Sequence, residues 1–106
     1  MISEKESESL TNGLCWSLAS EIHNVTGWDI VVFYSEYYET YFHSAVSPDG
    51  IHMIDGDGIS EICDYDPLNL HLDAEIVDND TLEDIAGKFH PEKVSKFVDY
   101  LIGEWK

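Results

Sequence analysis

The tetrapeptide SPDG at residues 47–50 constrains the fold most, because it is the whole connection between two strand-like segments. Segments 39–46 and 51–55 on either side are rich in β-branched, aromatic and aliphatic residues, as strands are. Pro48 at the second turn position and Gly50 at the fourth suit a type I turn. Parallel strands need a connection of about a dozen residues or more, so this short turn predicts an antiparallel hairpin.

Two further strands are predicted beside this hairpin. Residues 29–34, with the sequence DIVVFY, are rich in β-branched and aromatic residues, which is typical of a buried strand. In residues 68–77 apolar and polar residues alternate, which predicts a half-buried strand whose inner face is formed by Leu68, Leu70, Leu72 and Ala74. Residues 59–63 are too short to favour one type of element.

A helix is predicted before the strands, from about residue 14 to residue 25. Its apolar residues recur at helical spacing, and Cys15 and Ala19 lie beside them on one face. Thr11 or Asn12 can cap the start of this helix, and Gly27 fits the left-handed position after its end.

Two more helices are predicted at the end of the chain. Asp80 and Glu83 resemble a capping box ahead of the segment LEDIAGKF. Pro91 suits the first position of the last helix. We expect that helix to face the core with one apolar stripe, formed by Val94, Phe97, Val98, Leu101, Ile102 and Trp105.

The order helix, strands, helices predicts an α+β fold. We expect the N-terminal helix with Cys15 to pack on a mainly antiparallel sheet of about four strands, with two C-terminal helices closing the chain. Residues 1–10 are polar and acidic, and we expect them to form a flexible N terminus. Residues 11–106 have the length of a single α+β domain.

The net charge of the chain is strongly negative, at -17, with 22 Asp and Glu against 5 Lys and Arg. Such a field repels nucleic acids and anionic membranes and attracts basic partners, so we expect no direct nucleic-acid binding and no membrane binding. Three interpretations remain open: the solvated surface of an acidic cytosolic or salt-adapted protein, a docking surface for a basic protein, or a mimic of nucleic acid. The sequence predicts no particular oligomeric state.

The two cysteines, Cys15 and Cys63, are expected to be free thiols. The N terminus, MISEKESES, lacks the basic region and the apolar run of a signal peptide, and no apolar stretch approaches membrane-spanning length. We therefore expect a cytoplasmic protein, and the cytoplasm keeps thiols reduced.

Three residues are candidates for a thiol catalytic site: Cys15 at a helix start, His43 in a strand, and Asp55 at the end of the next strand. The positive potential at a helix N terminus and a nearby imidazole both stabilise a thiolate, the reactive form of cysteine. A carboxylate on the second ring nitrogen fixes the tautomer and orientation of the imidazole. Because the hairpin puts His43 and Asp55 on adjacent strands, we expect them within diagonal side-chain reach.

Three stretches of the sequence, GLCWSLASEIHNVTGW, HSAVSPDG and MIDGDG, resemble a small papain-like, or transglutaminase-like, family of bacterial and phage proteins. The resemblance covers about residues 12–60 and implies a minimal papain-like core. It implies Cys15 as the nucleophile, His43 as the general base and Asp55 as the residue that orients the base. It implies no particular substrate, because fold does not fix function.

Trp16 and Asn12 are candidate donors to an oxyanion hole. The backbone N–H of Trp16 can act together with that of Cys15, and the Asn12 side chain is a second candidate. Acidic surroundings oppose thiolate formation. Ordinary structural roles also remain open, with Cys15 as a small core residue, His43 as a structural strand residue and Asp55 as a turn former. The triad positions could also be a relic in an inactive scaffold.

Two classes of function follow from these patterns. The first is a papain-like thiol hydrolase or acyltransferase that acts on a protein or peptide amide, with basic segments favoured by the acidic field. The second is a non-enzymatic mimic of nucleic acid, an inhibitor of the phage anti-defence type that binds the basic groove of a restriction or CRISPR complex. In both, the partner is a basic protein surface or peptide, and the location is the cytoplasm of a bacterium or of a phage host.

No cofactor and no metal site is predicted. The loop at residues 55–66 departs from the EF-hand pattern at its fifth, sixth and twelfth positions, which leaves only weak cation binding by clustered carboxylates. The histidines and cysteines lack zinc-site spacing, and we expect Cys63 to be structural. The aromatic and acidic segment YSEYYETYFH, residues 34–43, is either a strand with tyrosine hydroxyls in water or an interface for an arginine-rich partner.

Overall fold

A helix, a run of strands and two further helices follow one another along the described chain. The computed structural model describes residue 5 and residues 14–65, 72–87 and 89–105. The elements are α1 (Cys15–Thr26), β1 (Asp29–Ser35), β2 (Thr40–Ser47), β3 (His52–Asp55), β4 (Gly58–Glu61), a 3₁₀ turn (Ile62–Asp64), β5 (Asp73–Val77), α2 (Asn79–Ala86) and α3 (Pro91–Trp105). Within these ranges, no helix has both the length and the apolar composition needed to cross a bilayer. Apart from Lys5, the N-terminal segment expected to be flexible lies outside the described residues.

One antiparallel sheet contains the five strands, in the order β4-β3-β2-β1-β5. The predicted α+β fold is confirmed, with five strands where about four were expected. The additional strand is β4, which comes from the segment that favoured no single element and pairs with β3 around a turn at residues 56–57. The remainder of that segment forms the 3₁₀ turn.

The helix α1 ends where the sequence predicts. Gly27 has a left-handed backbone with a φ of 77°, and its N–H donates to the carbonyl of His23 over 2.8 Å. Leu14 occupies the N-cap position and has no side-chain capping bond. The caps predicted from sequence, Thr11 and Asn12, lie outside the described residues.

The main core lies between α1, α3 and one face of the sheet. Leu18 and Ile22 of α1 pack there against Ile30 and Val32 of β1. The predicted stripe of α3 is confirmed, because five of its residues are buried in this cluster and the sixth is partly buried against it: Val94, Phe97, Val98, Leu101 and Ile102, then Trp105. A smaller cluster on the other face of the sheet contains the alternate strand residues Val31, Phe33, Ala45 and Met53.

Two buried serines tie α1 to the C-terminal helices. The backbone N–H of His90 donates to Ser17 Oγ over 2.7 Å. The Ser20 hydroxyl donates to Oδ1 of Asn79 over 2.8 Å. These bonds fix the rotation of α1 about its axis, and they therefore fix the direction in which Cys15 points.

The capping box predicted for α2 is wrong. Asp78, and not Asp80, is the N-cap, and its Oδ1 accepts the N–H of Thr81 over 2.7 Å. The helix begins at Asn79, so Asp80 already lies in its first turn. A capping side chain must stand before the first helical residue, where the backbone is extended, and Asp78 with a ψ of 174° meets that condition.

The alternation predicted for the last strand is also wrong in part. Residues 66–71 lie outside the described residues, and Leu72 is half-buried as expected. Ala74 is exposed, however, and so is Ile76, at 62%. The reason is that β5 is an edge strand that pairs with β1 alone.

Replacing Ser17 by alanine tests how firmly α1 is held. We expect Ser17→Ala to lower the free energy of unfolding by about 1–2 kcal/mol, because the His90 N–H loses its acceptor in a partly buried place. Urea unfolding followed by circular dichroism measures this change. Ser95→Ala on the exposed side of α3 is the matched control, and an equal loss in both variants would contradict the role of Ser17.

Candidate active site

Three elements bring the three candidate catalytic residues together in the interior. Cys15 is the first residue of α1, His43 lies in β2, and Asp55 is the last residue of β3. The three residues are only 3%, 1% and 4% exposed. A buried histidine and a buried carboxylate require partners, because an unpaired polar group in the interior costs free energy.

His43 and Asp55 are those partners for each other. The Nε2 atom of His43 lies 2.8 Å from Oδ2 of Asp55, a buried hydrogen bond between side chains. Val46 of β2 stands opposite Ile54 of β3, so His43 and Asp55 project from the same face of adjacent strands as a diagonal pair. The second oxygen of Asp55, Oδ1, accepts the N–H of Asp57 over 2.9 Å, which holds the carboxylate in place.

Cys15 contacts the same imidazole. The ring nitrogen that faces away from Asp55, Nδ1, is buried and has no aligned hydrogen bond among the described residues. The Cys15 thiol nevertheless lies close enough to act on His43 by contact and by charge. Loosely aligned contacts of this kind are common in catalytic sites without substrate and tighten when substrate binds.

The pKa of His43 is raised by these neighbours. Burial lowers this pKa, but the hydrogen bond from Asp55, the contact with Cys15 and the negative charges of both residues outweigh that effect. The result is a rise from 6.5 to about 9. The ring therefore keeps its proton more readily at neutral pH than an ordinary imidazole does.

Tyr65 completes the site, and the sequence analysis missed it. Its ring stacks on that of His43 with centroids 4.9 Å apart and an angle of 23° between the planes. It also packs on Phe33, at 4.5 Å between centroids. Burial raises the pKa of Tyr65, as do the charges of Asp55, Cys15 and Asp57, so the hydroxyl stays neutral. No spacing signal marks Tyr65, because it follows the 3₁₀ turn and meets His43 only through the tertiary fold.

Of the two candidate oxyanion donors, Trp16 lies within the described residues. Cys15 and Trp16 are the first two residues of α1, so their backbone N–H groups have no acceptor within the helix. These groups and the helix dipole favour a negative charge beside the Cys15 sulfur. The Trp16 side chain packs against the main core, so only its backbone can serve the site. Asn12 lies outside the described residues.

Cys63 differs from Cys15 in its exposure and in its acidic neighbours. It is exposed, which corrects the expectation of a structural, packed thiol. The negative charges of Asp64 and Glu61 are the main reason that its pKa is raised. Its sulfur and one oxygen each from Glu61 and Asp64 lie within 4.8 Å of one another on the surface. An exposed acidic group of this kind is common without a metal ion.

Comparison of the chain with protein-family models, with curated proteins and with solved structures finds no match. The papain-like interpretation therefore depends on the sequence motifs and on the geometry of the Cys15, His43 and Asp55 side chains.

The raised pKa of His43 gives a pH-dependent stability. Because its pKa in the folded protein exceeds that of the unfolded chain, protonated His43 stabilises the fold fully below pH 6.5. This contribution is lost as the pH rises through about 9. NMR titration of the His43 ring and urea unfolding over this pH range measure both effects. We expect Asp55→Asn to lower the pKa of His43, with the half-buried His90 as internal control; a His43 pKa at or below 6.5 in the unaltered protein would contradict the site.

The ring of Tyr65 is expected to position His43. Tyr65→Leu removes the stacked ring, and we expect a loss of about 1 kcal/mol in the free energy of unfolding and of the ring-current shift on the His43 protons. Tyr65→Phe keeps the ring and is expected to preserve both quantities. NMR spectra and urea unfolding of the two variants provide the measurement, and indistinguishable His43 spectra in both would contradict the stacking role.

Proposed function

We propose that this protein is a papain-like thiol enzyme, a hydrolase or acyltransferase acting on a protein or peptide amide. The observation that carries the proposal is the buried imidazole of His43, with Asp55 hydrogen-bonded to Nε2 and the Cys15 thiol beside it. A buried histidine with a purely structural role needs only a hydrogen-bond partner. An imidazole that lies between a carboxylate and a thiol at a helix N terminus has the arrangement of a nucleophile, a base and an orienting group.

The proposed reaction has two acyl-transfer steps. His43 holds the proton of Cys15, and the thiolate attacks the carbonyl carbon of the amide while the backbone N–H groups of Cys15 and Trp16 bind the oxyanion. His43 then gives its proton to the leaving amine, and a thioester remains on Cys15. Water or a second amine attacks the thioester, His43 takes the proton of that nucleophile, and the acyl product leaves as the Cys15 thiol is restored. Asp55 keeps the imidazole oriented throughout.

Burial of the thiol sets a condition on this reaction. Cys15 is 3% exposed, so a substrate reaches the sulfur only when the surrounding chain moves. Small electrophiles are therefore the best first probes of the thiol. A reducing compartment is also required, since a disulfide at Cys15 would remove the nucleophile. Both described cysteines are free thiols, which supports the proposal of a cytoplasmic location.

The distribution of exposed carboxylates supports a second candidate function. Six acidic residues are exposed along β5, α2 and the residue between them: Asp73, Glu75, Asp78, Asp80, Glu83 and Asp84. We propose as the alternative an acidic mimic of nucleic acid that binds the basic groove of a nucleic-acid-binding partner, as anti-defence inhibitors do. In that case Cys15→Ala leaves partner binding unchanged, and binding weakens steeply with added salt.

Acylation by p-nitrophenyl acetate tests the enzyme proposal without knowledge of the natural substrate. We expect release of nitrophenolate and an acetyl group on Cys15 in the mass spectrum at pH 6.5–7.5, because the imidazolium of His43 favours the thiolate there. His43→Ala is expected to slow acylation by about 100-fold or more.

Cys63→Ser is the matched control for the second thiol. Because the pKa of Cys63 is raised by Asp64 and Glu61, its loss is expected to leave acylation unchanged. Acetylation of Cys63 alone, or equal and slow labelling of both thiols by iodoacetamide at pH 6–7, would rule out an activated Cys15.

A further inference from the structure

The hairpin that joins β1 to β2 carries an exposed aromatic surface. Tyr37 is 85% exposed, Tyr38 is 56% exposed and Phe42 is 39% exposed. Glu36 and Glu39 lie on the same turn and are exposed as well. We refer to these five residues as the hairpin patch.

The backbone beneath the hairpin patch is well supported. Tyr34 and Tyr41 stand opposite each other at its base with ring centroids 4.9 Å apart, and Tyr41 packs against the main core. The buried Ser35 accepts the N–H of Tyr38 at its Oγ over 3.2 Å. The exposed rings therefore stand on a turn that packing and a hydrogen bond hold in place.

The exposed rings of the hairpin patch touch one another in sequence. Tyr37 and Tyr38 meet edge to face at 4.8 Å, and Tyr38 and Phe42 meet in the same way at 5.8 Å. The three rings therefore form one continuous aromatic surface at the end of the hairpin.

The charge of the patch selects one kind of ligand. Residues 6–87 contain neither lysine nor arginine, and the five cationic residues of the chain are all lysines at its two ends. Glu36 and Glu39 therefore add to a long stretch without lysine or arginine in a chain of net charge -17. Nucleic acids and anionic membranes are repelled by this field, whereas cationic protein segments are attracted.

We infer that the hairpin patch binds an arginine-containing segment of a partner protein. A guanidinium group stacks on tyrosine and phenylalanine faces and pairs with carboxylates through a planar fork, so it fits the alternation of rings and Glu side chains better than lysine does. The inference concerns binding to this exposed surface alone, and it does not depend on the chemistry proposed for Cys15.

Binding of a fluorescein-labelled peptide that contains four spaced arginines tests the patch. The experiment uses the full chain with Cys15→Ala, and fluorescence anisotropy reports binding without any turnover. Tyr37→Ser with Tyr38→Ser is expected to weaken binding about tenfold, and Glu36→Gln with Glu39→Gln by several-fold with a smaller salt dependence. A peptide with lysine in place of arginine is expected to bind more weakly.

Ile51→Ser with Ile76→Ser is the matched control, since it removes two exposed apolar side chains elsewhere, of 59% and 62% exposure. Unchanged binding in this control, with loss in the tyrosine variant, supports the patch. Equal binding by all variants, or equal loss in all, overturns the inference and assigns peptide binding to the general acidic field. Neither result alters acylation of Cys15 by p-nitrophenyl acetate, so failure of the patch and failure of the enzyme are separable.

Discussion

The buried hydrogen bond between His43 and Asp55 is the interaction on which the centre of this molecule depends. It joins β2 to β3, two strands whose register is fixed by the pair Val46 and Ile54. Neither side chain could be buried alone, because the desolvation of an imidazolium or of a carboxylate is compensated only by a partner. The fold therefore acquires a buried ion-pairing centre within the sheet, and Cys15 at the N terminus of α1 lies beside it.

The local environment of Cys15 differs from the strongly negative average of the chain. The first turn of α1 contains no acidic residue, the N–H groups of Cys15 and Trp16 have no acceptor within the helix, and the pKa of the adjacent His43 is raised. Cys63 shows what the acidic field does without such compensation, since Asp64 and Glu61 raise the pKa of its thiol. Charges in the interior are screened less by water than charges on the surface.

The proposed function assigns separate roles to a buried polar centre and an acidic exterior. Tyr65 covers one face of the buried His43 ring, whereas the hairpin patch lies at the exposed end of the β1–β2 hairpin. Both features lie in the part of the chain without lysine or arginine. The partner proposed above, a basic protein segment, is the kind that such a negative field attracts.

Local sequence patterns predicted those helices and turns whose conformation depends little on the rest of the fold. The periodic apolar residues predicted α1 and α3, Gly27 predicted the end of α1, and the turn at residues 47–50 predicted the β2–β3 hairpin with His43 and Asp55 in diagonal reach. The predictions from sequence were wrong where the surrounding structure decides how a residue is used. Asp78 and not Asp80 caps α2, and Ala74 and Ile76 of β5 are exposed because this strand has a neighbouring strand on one side only.

The sequence by itself thus determined the α+β order of elements and the three residues able to form a thiol site. Only the tertiary structure decided that Cys15 meets His43, that Tyr65 stacks on the imidazole and that Cys63 stays on the surface. The physical reason is that helices, turns and strands are specified by residues a few positions apart, whereas side-chain contacts and shifted pKa values arise between residues separated by tens of positions.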